Sequence, residues 1–376
     1  MTSRNILLIS FSNLKTDARV KRHLNFLRNA GHHVTLACHD SEPYDDVKLI
    51  RVSPLRLNLV KKIISSALLI SRLYSLAYRY LYGQKLMFNQ PFDVILANDI
   101  EALPLAFELK GTAKIVFDAH EYAPRHFEDK LMWRIFFQGF NQYLCKKYIP
   151  KVDSMITIGQ GIANEYEKNY GVKPVVITNA SPYYDIEPKK TDPAKIKLVH
   201  QGIATPSRKL ELMFDMMKHL DNRFTLDLLL VKPTHRSNIL YLEKLKALAK
   251  SDSRIGFPEP VPARQLINLL NQYDLGVTLI PPVNFNYANT LPNKFFECIQ
   301  ARIGQAIGPI PEMKKITEYY KLGVVSEDFN PENLAKKIMQ LAPEQVDEFK
   351  NNCSAAALAF NAAKNETLLN EIIGNL

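Results

Sequence analysis

LGVTLIPPVNFNYANTLPNKFFECIQARIGQAIG, residues 275–308, decides the reading of the fold. It opens on a short apolar run, LGVTLI. A polar, proline-bearing loop follows. An apolar-periodic stretch then starts after Pro292, and a second short apolar run, QAIG, closes it. Apolar runs of four to six residues read as buried strands, and the longer periodic stretch between them reads as a helix. The segment is therefore a strand–helix–strand unit of a parallel sheet. Asn293 and Lys294 sit where the loop enters the helix. Free backbone N–H groups and the helix dipole make such a start an anion site. Glu297 lies about one turn further on, where a carboxylate can accept hydrogen bonds from a ribose diol. An ordinary capped surface helix fits the same residues.

The alternation extends on both sides. Towards the N-terminus, strand-like runs at 5–11, 33–39, 93–98, 114–120, 154–159 and 174–179 are separated by helical patterns at 18–30, 101–110, 133–148 and 162–170 and by a basic helical segment. The stretch TNASPYYDIEPKKTDPAK, residues 178–195, carries three prolines and no periodicity, so it reads as a linker. The pattern then restarts at KIKLVHQG. Runs at 225–231, 254–257, 275–280, 304–308 and 323–326 follow, and 355–376 is a helical tail. The expected organisation is residues 1–180 as one Rossmann-like domain, 181–195 as linker, 196–354 as a second Rossmann-like domain, and 355–376 crossing back to the first. Ligands of such α/β folds sit at the carboxyl ends of the strands, here expected in a cleft between the halves.

Composition fits a globular chain of 376 residues, 47% hydrophobic and 23% charged, long enough for two domains. The four cysteines are scattered with no CxxC pair, which points away from a disulfide framework or a zinc site and towards a reducing compartment. The N-terminus reads as a first strand rather than a signal peptide. No apolar run reaches the length of a membrane span. GxSxG, HExxH, Walker and GxGxxG sequences are all absent, and no convincing metal-bridging DxD is found.

The net charge of +10 is unevenly placed. Between residues 51 and 90 there are seven basic residues, Arg51, Arg56, Lys61, Lys62, Arg72, Arg79 and Lys85, and no acidic one. Leucines, isoleucines and tyrosines are interleaved with them. This pattern suits an anionic membrane surface better than a nucleic acid; a solvated basic helix packed on its own domain is the alternative.

Several of these stretches resemble glycosyltransferase family 4, the group-1 transferases of the GT-B type. LKTDARVKRHLNFLRNAGHHVT looks like the family's opening loop and first helix. DVILANDIEALPLA and KIVFDAHEYAPR look like its following strand ends, VVITNASP looks like its pre-linker segment, and LPNKFFECIQARIGQAIGPIPEM is similar to its donor motif. The resemblance implies an α/β GT-B fold: two Rossmann-like, doubly wound domains facing a central cleft. It implies that Glu297 holds the ribose hydroxyls, as the second Glu of a Glu-x7-Glu motif whose first position is Asn289 here. An Arg–Lys pair grips the diphosphate in the family. The Arg position is Ile203 in this chain, while Arg208, beside Lys209, matches the Lys.

The resemblance also places His120 near the donor sugar, as a neutral hydrogen-bonding imidazole. Asp118 and Glu121 flank it as candidate bases for an inverting reaction; a retaining one requires none. Asn13, Lys15, Asp17 and Arg19 in the opening loop are candidates for the acceptor or diphosphate end, with solvated helix-start charges as the alternative. Asp99 is either an acceptor contact or a helix N-cap.

The function so implied is transfer from a nucleoside-diphosphate sugar to a lipid-linked or polysaccharide acceptor in bacterial surface glycan synthesis, such as lipopolysaccharide. UDP is expected as the base, with GDP its main rival. Cofactor and metal are expected to be absent, the outcome retaining, and the place the inner face of the cell membrane. A sugar-nucleotide 2-epimerase of the same architecture and a non-catalytic sugar-nucleotide-binding protein stand as rivals.

Overall fold

The computed structural model describes residues 2–53, 58–84, 86–88 and 90–376. Arg56 and Lys85 of the basic segment, with Leu55 and Leu57, lie outside the described residues. The chain forms two compact units. The first comprises Met1–Thr178, Asn284–Asn286 and Asn365–Leu376; the second comprises Asn179–Val283 and Tyr287–Lys364.

The first unit is built on seven strands: β1 (Asn5–Ser10), β2 (His33–Cys38), β3 (Lys48–Arg51), β4 (Val94–Asn98), β5 (Lys114–Ala119), β6 (Ser154–Thr157) and β7 (Val175–Val176). Their order in the sheet is β3-β2-β1-β4-β5-β6-β7, and every pairing is parallel. Ile6 to Ile9 and all of β4 are buried, as continuous apolar runs require when both faces of a parallel sheet are covered. The second unit has six parallel strands: β8 (Ile196–Ile203), β9 (Phe224–Val231), β10 (Ile255–Gly256), β11 (Leu275–Thr278), β12 (Gly304–Ile307) and β13 (Gly323–Val325). Their order is β10-β9-β8-β11-β12-β13. The strand order reverses between β1 and β4 in one sheet and between β8 and β11 in the other. Crevices open at such switch points, outside the carboxyl ends of the strands.

Several elements differ from the sequence reading. The edge strand β3 was not expected, because KLIR carries two cations and is only half-buried. The basic segment forms two helices, Leu59–Ile70 and Tyr74–Tyr82, broken at Arg72, whose φ is +56°. The helix expected over 133–148 starts at Leu131 and carries a π-helical turn over Arg134–Gln138 before Gly139–Tyr148. A side chain at Gly139 would collide with the Tyr74 hydroxyl, so glycine there permits the helix Tyr74–Tyr82 to approach.

Residues 179–195 carry neither helix nor strand, yet they are fastened to the second unit. Tyr184 N donates to Gln300 Oε1 (3.1 Å), Asn271 Nδ2 to the Glu187 carbonyl (3.0 Å) and Thr191 N to Asp347 Oδ1 (2.8 Å). Buried Lys350 adds bonds to the Lys189 carbonyl (2.9 Å) and to Asp274. The tail is two helices, Pro343–Ala359 and Ala362–Gly374, with Asn361 Oδ1 accepting from Lys364 N at the break (3.2 Å).

Candidate active site

The second unit holds a cavity of about 290 Å³ at the carboxyl end of β8. One wall is charged: Arg208, Asn293, Lys294 and Glu297 line it. The other is apolar, with Leu229, Val231, Val261 and Leu266. Four donor-site residues read from the sequence are thus brought together. Asn289 does not line the cavity, and neither does Lys209, which is exposed in a left-handed conformation with φ +48°.

Lys294 occupies the first turn of the helix Asn293–Gln300, whose N-terminus has no side-chain cap. Its side chain is buried, and Nζ lies 3.1 Å from His200 Nε2. His200 is fully buried and pairs through Nδ1 with the Val277 carbonyl at 2.8 Å. The carbonyl can only accept, so Nδ1 carries the proton and Nε2 is left to accept from Lys294. Burial, with the Lys294 charge adding to it, holds His200 well below the usual imidazole range, so it stays neutral. Burial, then the Arg208 charge, pushes the Lys294 amine well below its ordinary value. Arg208 Nη1 donates to the Ile203 carbonyl at 3.0 Å. A methyl placed on Gly202 would lie 3.0 Å from Arg208 Nη1 and 3.3 Å from Lys294 Nζ, and φ there is +140°. Only glycine suits that backbone, and it leaves space beside the two cations.

Among the described residues, no carboxylate lies within ion-pair distance of Arg208 or Lys294. Two cations at an open helix N-terminus suit a polyanion. Glu297 is half-buried on the next turn, with Gln201 Nε2 3.5 Å from its Oε2. His200, Gln201 and Gly202 were missed in the sequence. Their signal was their place, at the end of the strand KIKLVHQG.

The first unit gathers a second cluster at the carboxyl ends of β4 and β5. Asp118 is fully buried. Arg19 grips it with Nε to Oδ2 (2.9 Å) and Nη2 to Oδ1 (2.7 Å), and donates from Nη1 to the Ile177 carbonyl (2.8 Å). His120 places Nε2 3.2 Å from Asp118 Oδ2 and Nδ1 3.3 Å from Asp99 Oδ2. His23 Nδ1 is also 3.2 Å from Asp118 Oδ2, without hydrogen-bond alignment, and burial lowers its imidazole.

Burial works to raise the Asp118 carboxyl, but Arg19, His120 and His23 outweigh it and hold the group well below the usual carboxylate range. Burial likewise works to lower His120, but Asp99 and Asp118 outweigh it and raise it to about 9. His120 is therefore a cation at neutral pH, with both ring nitrogens donating. This corrects the expectation of a neutral imidazole: two carboxylates on one ring stabilise the charged form.

The opening loop also differs from its reading. Arg19 is 6% exposed and spent on Asp118, so it is neither a ligand contact nor a solvated charge. Asp17 caps the helix Ala18–Asn29 by accepting from Val20 N (3.1 Å), and it accepts from Ser12 Oγ (2.7 Å). Lys15 pairs with Asp40 at 2.6 Å, and Asn13 Oδ1 accepts from Lys15 N at 3.0 Å. Asp99 has φ +64° and turns its carboxylate to His120 rather than capping the helix Ala102–Leu109. Glu121 pairs with His126 Nε2 at 2.7 Å and is half-exposed.

Residues 18–180 match the family model described as Glycosyltransferase Family 4. The first domain belongs to glycosyltransferase family 4. Solved structures align over nearly the whole chain at low identity. Sucrose-phosphate synthase from Thermosynechococcus elongatus has a TM-score of 0.73 and 13% identity, covering 99% of this chain and 98% of its own. The trehalose 6-phosphate synthase of Burkholderia multivorans gives 0.71 and 11%, covering 100% and 99%. Anabaena HepE, solved with UDP and glucose, gives 0.68 and 14%, with full coverage of both chains. The fold they share with this family 4 chain is the GT-B fold: two parallel-sheet α/β domains. A search of curated proteins finds no significant match.

Two predictions follow from these geometries. Asp118→Asn strands Arg19 without its counter-charge and should cost about 3–5 kcal/mol of stability in urea denaturation. Because His120 is raised to about 9, its stabilising contribution is full below the unfolded imidazole value and is lost as pH rises through about 9. The wild type should therefore lose part of its advantage over Asp118→Asn in that window; a gap that does not change with pH contradicts the pairing. Separately, a polyanion at Lys294 restores its ammonium, so binding of inorganic diphosphate should take up protons and weaken as pH rises. Calorimetry in buffers of different ionisation enthalpy reads this directly, and identical apparent enthalpies would refute it.

Proposed function

We propose that the chain is a glycosyltransferase that takes a sugar from a UDP-sugar in the cavity at Gly202. The observation carrying this reading is the pair Arg208 and Lys294 at the uncapped helix N-terminus, with Glu297 one turn on. Arg208, Lys294 and the helix N–H groups hold the diphosphate. Glu297 accepts from the ribose hydroxyls, and the apolar wall of Leu229, Val231, Val261 and Leu266 takes the base. UDP is favoured as the base because HepE was solved with UDP and TarM of S. aureus with UDP and a glycan mimic. The two cations neutralise the charge that develops on the leaving diphosphate, so the reaction proceeds without a metal or other cofactor.

The outcome is retention. His120 is already protonated, and Asp118 is buried in an ion pair, so neither suits the role of base. The departing diphosphate takes the acceptor's proton on the same face, and His120 donates hydrogen bonds to oxygen. Asp118 and Arg19 act as positioning residues.

The acceptor is lipid-linked, and the enzyme works peripherally at the inner face of the membrane in surface glycan synthesis. The helix Leu59–Ile70 turns apolar side chains outward: Leu59 is 74% exposed, Val60 62% and Ile63 61%. Lys61 and Lys62 are exposed among them. Beside this helix packs the π-helical turn Arg134–Gln138, which with the preceding turn exposes Leu131, Met132 and Ile135. An apolar surface set among cations, with no acid in residues 51–90, fits anionic lipid. No described helix is long and apolar enough to span a bilayer.

UDP should be released from a UDP-sugar only when an acceptor glycan or polyprenyl-linked sugar is present. Glu297→Ala should weaken UDP binding by about 1.5–3 kcal/mol, the scale of a hydrogen bond to a charged group. Epimerised donor without acceptor, or UDP affinity untouched by the substitution, would overturn the proposal. Gln at both Lys61 and Lys62 should weaken binding to anionic vesicles by about 1 kcal/mol per charge; binding indifferent to these changes and to salt would refute membrane docking.

A further inference from the structure

The first unit contains another cavity, also about 290 Å³, that none of the donor-binding groups reaches. It opens at the carboxyl ends of β1, β2 and β4, at the switch point of that sheet. Two aromatic side chains form one side. Phe11 meets Tyr82 edge-on at 5.6 Å, and Tyr82 stacks in parallel on Phe140 at 6.4 Å, which fixes the ring. His39 and Gln84 bring polar groups. His39 Nδ1 donates to the Val52 carbonyl (3.1 Å), which leaves Nε2 as an acceptor in the neutral ring. Gln84 Oε1 accepts from Ser53 N (3.2 Å), and its amide NH2 has no partner among the described residues. The remaining wall is acidic. Asp99 and Glu101 both line the cavity, and Glu101 makes no ion pair with another described residue.

We propose that this cavity is the acceptor subsite and that it takes an uncharged, hydroxyl-rich sugar ring; the proposal rests on the transferase reading above. An aromatic edge offers a sugar an apolar face, while carboxylates and an amide match its hydroxyls. Two carboxylates already share the small space, and each works to raise the other's carboxyl above its ordinary value, burial being the larger cause. A phosphate or uronate would add a third negative charge, and the one cation nearby, His120, is already held between Asp99 and Asp118. The subsite therefore selects against anionic sugars. Asp99 joins it to His120 at 3.3 Å, so an occupant lies next to that cation. The charge of a lipid diphosphate is left to the basic helices outside.

Saturation-transfer NMR on the full chain, without nucleotide, tests this. The probes are methyl glycosides of glucose, galactose, mannose and N-acetylglucosamine, with the matching uronides and 6-phosphates. At least one neutral glycoside should bind, and its charged counterparts should bind at least tenfold more weakly. Ser53→Trp fills the cavity mouth and should abolish binding; Glu101→Gln keeps the shape and should narrow the discrimination at least threefold. Unchanged thermal melting certifies the fold of each variant. Failure of every neutral glycoside to bind, binding that survives Ser53→Trp, or charged sugars binding as well as neutral ones would each overturn the proposal. UDP titration of the same samples separates the two readings. If UDP binds and glycosides do not, only the subsite falls; if UDP itself does not bind, the donor assignment falls.

Discussion

Two cations held side by side without a counter-anion are the constraint around which the second unit is arranged. Burying Lys294 beside Arg208 is unfavourable for both charges. The structure tolerates it because His200, tied by its Nδ1–H to the Val277 carbonyl, offers a neutral acceptor, and because Gly202 leaves room. A folded protein rarely keeps such an arrangement for stability alone; perturbed groups of this kind gather at functional sites. The strain is relieved when a polyanion arrives, which gives the site its selectivity for diphosphate over a neutral nucleoside.

The first unit solves the opposite problem. Asp118 is fully buried and would be costly alone, but Arg19 satisfies both its oxygens and ties the first helix to the end of β7 through the Ile177 carbonyl. His120 then sits between Asp118 and Asp99 as a fixed cation. A group that is already protonated suits donation to oxygen rather than proton abstraction. The same electrostatics leave the neighbouring cavity acidic, with Glu101 and Asp99 facing its occupant.

Much of this was legible in the sequence, and the exceptions have physical reasons. Apolar runs such as NILLIS and VILAN announced central parallel strands, because both faces are buried. KLIR did not, because an edge strand carries charge. The opening of LPNKFFE announced an anion site, since Pro292 begins a helix with no side-chain cap. Arg208, Lys294 and Glu297 do share its cavity, but His200 was invisible: a histidine in an apolar run looks like any buried residue until the Val277 carbonyl fixes its tautomer. Arg19 was misplaced for a similar reason. Its partner lies 99 residues away, and no local pattern reveals that a loop-end arginine turns inward. The acceptor cavity draws on four separate loops, so its acidic character emerges only when they are folded together.

The central claim is that Arg208 and Lys294 grip a diphosphate. Calorimetric affinities of uridine and UDP for the wild type and for Lys294→Met test it most directly. The account predicts that UDP binds wild type about tenfold or more tighter than uridine, in keeping with hydrogen bonds from charged donors, and that Lys294→Met removes most of this increment while uridine binding is unchanged. Equal affinities for uridine and UDP in the wild type, or an increment that survives Lys294→Met, would contradict it.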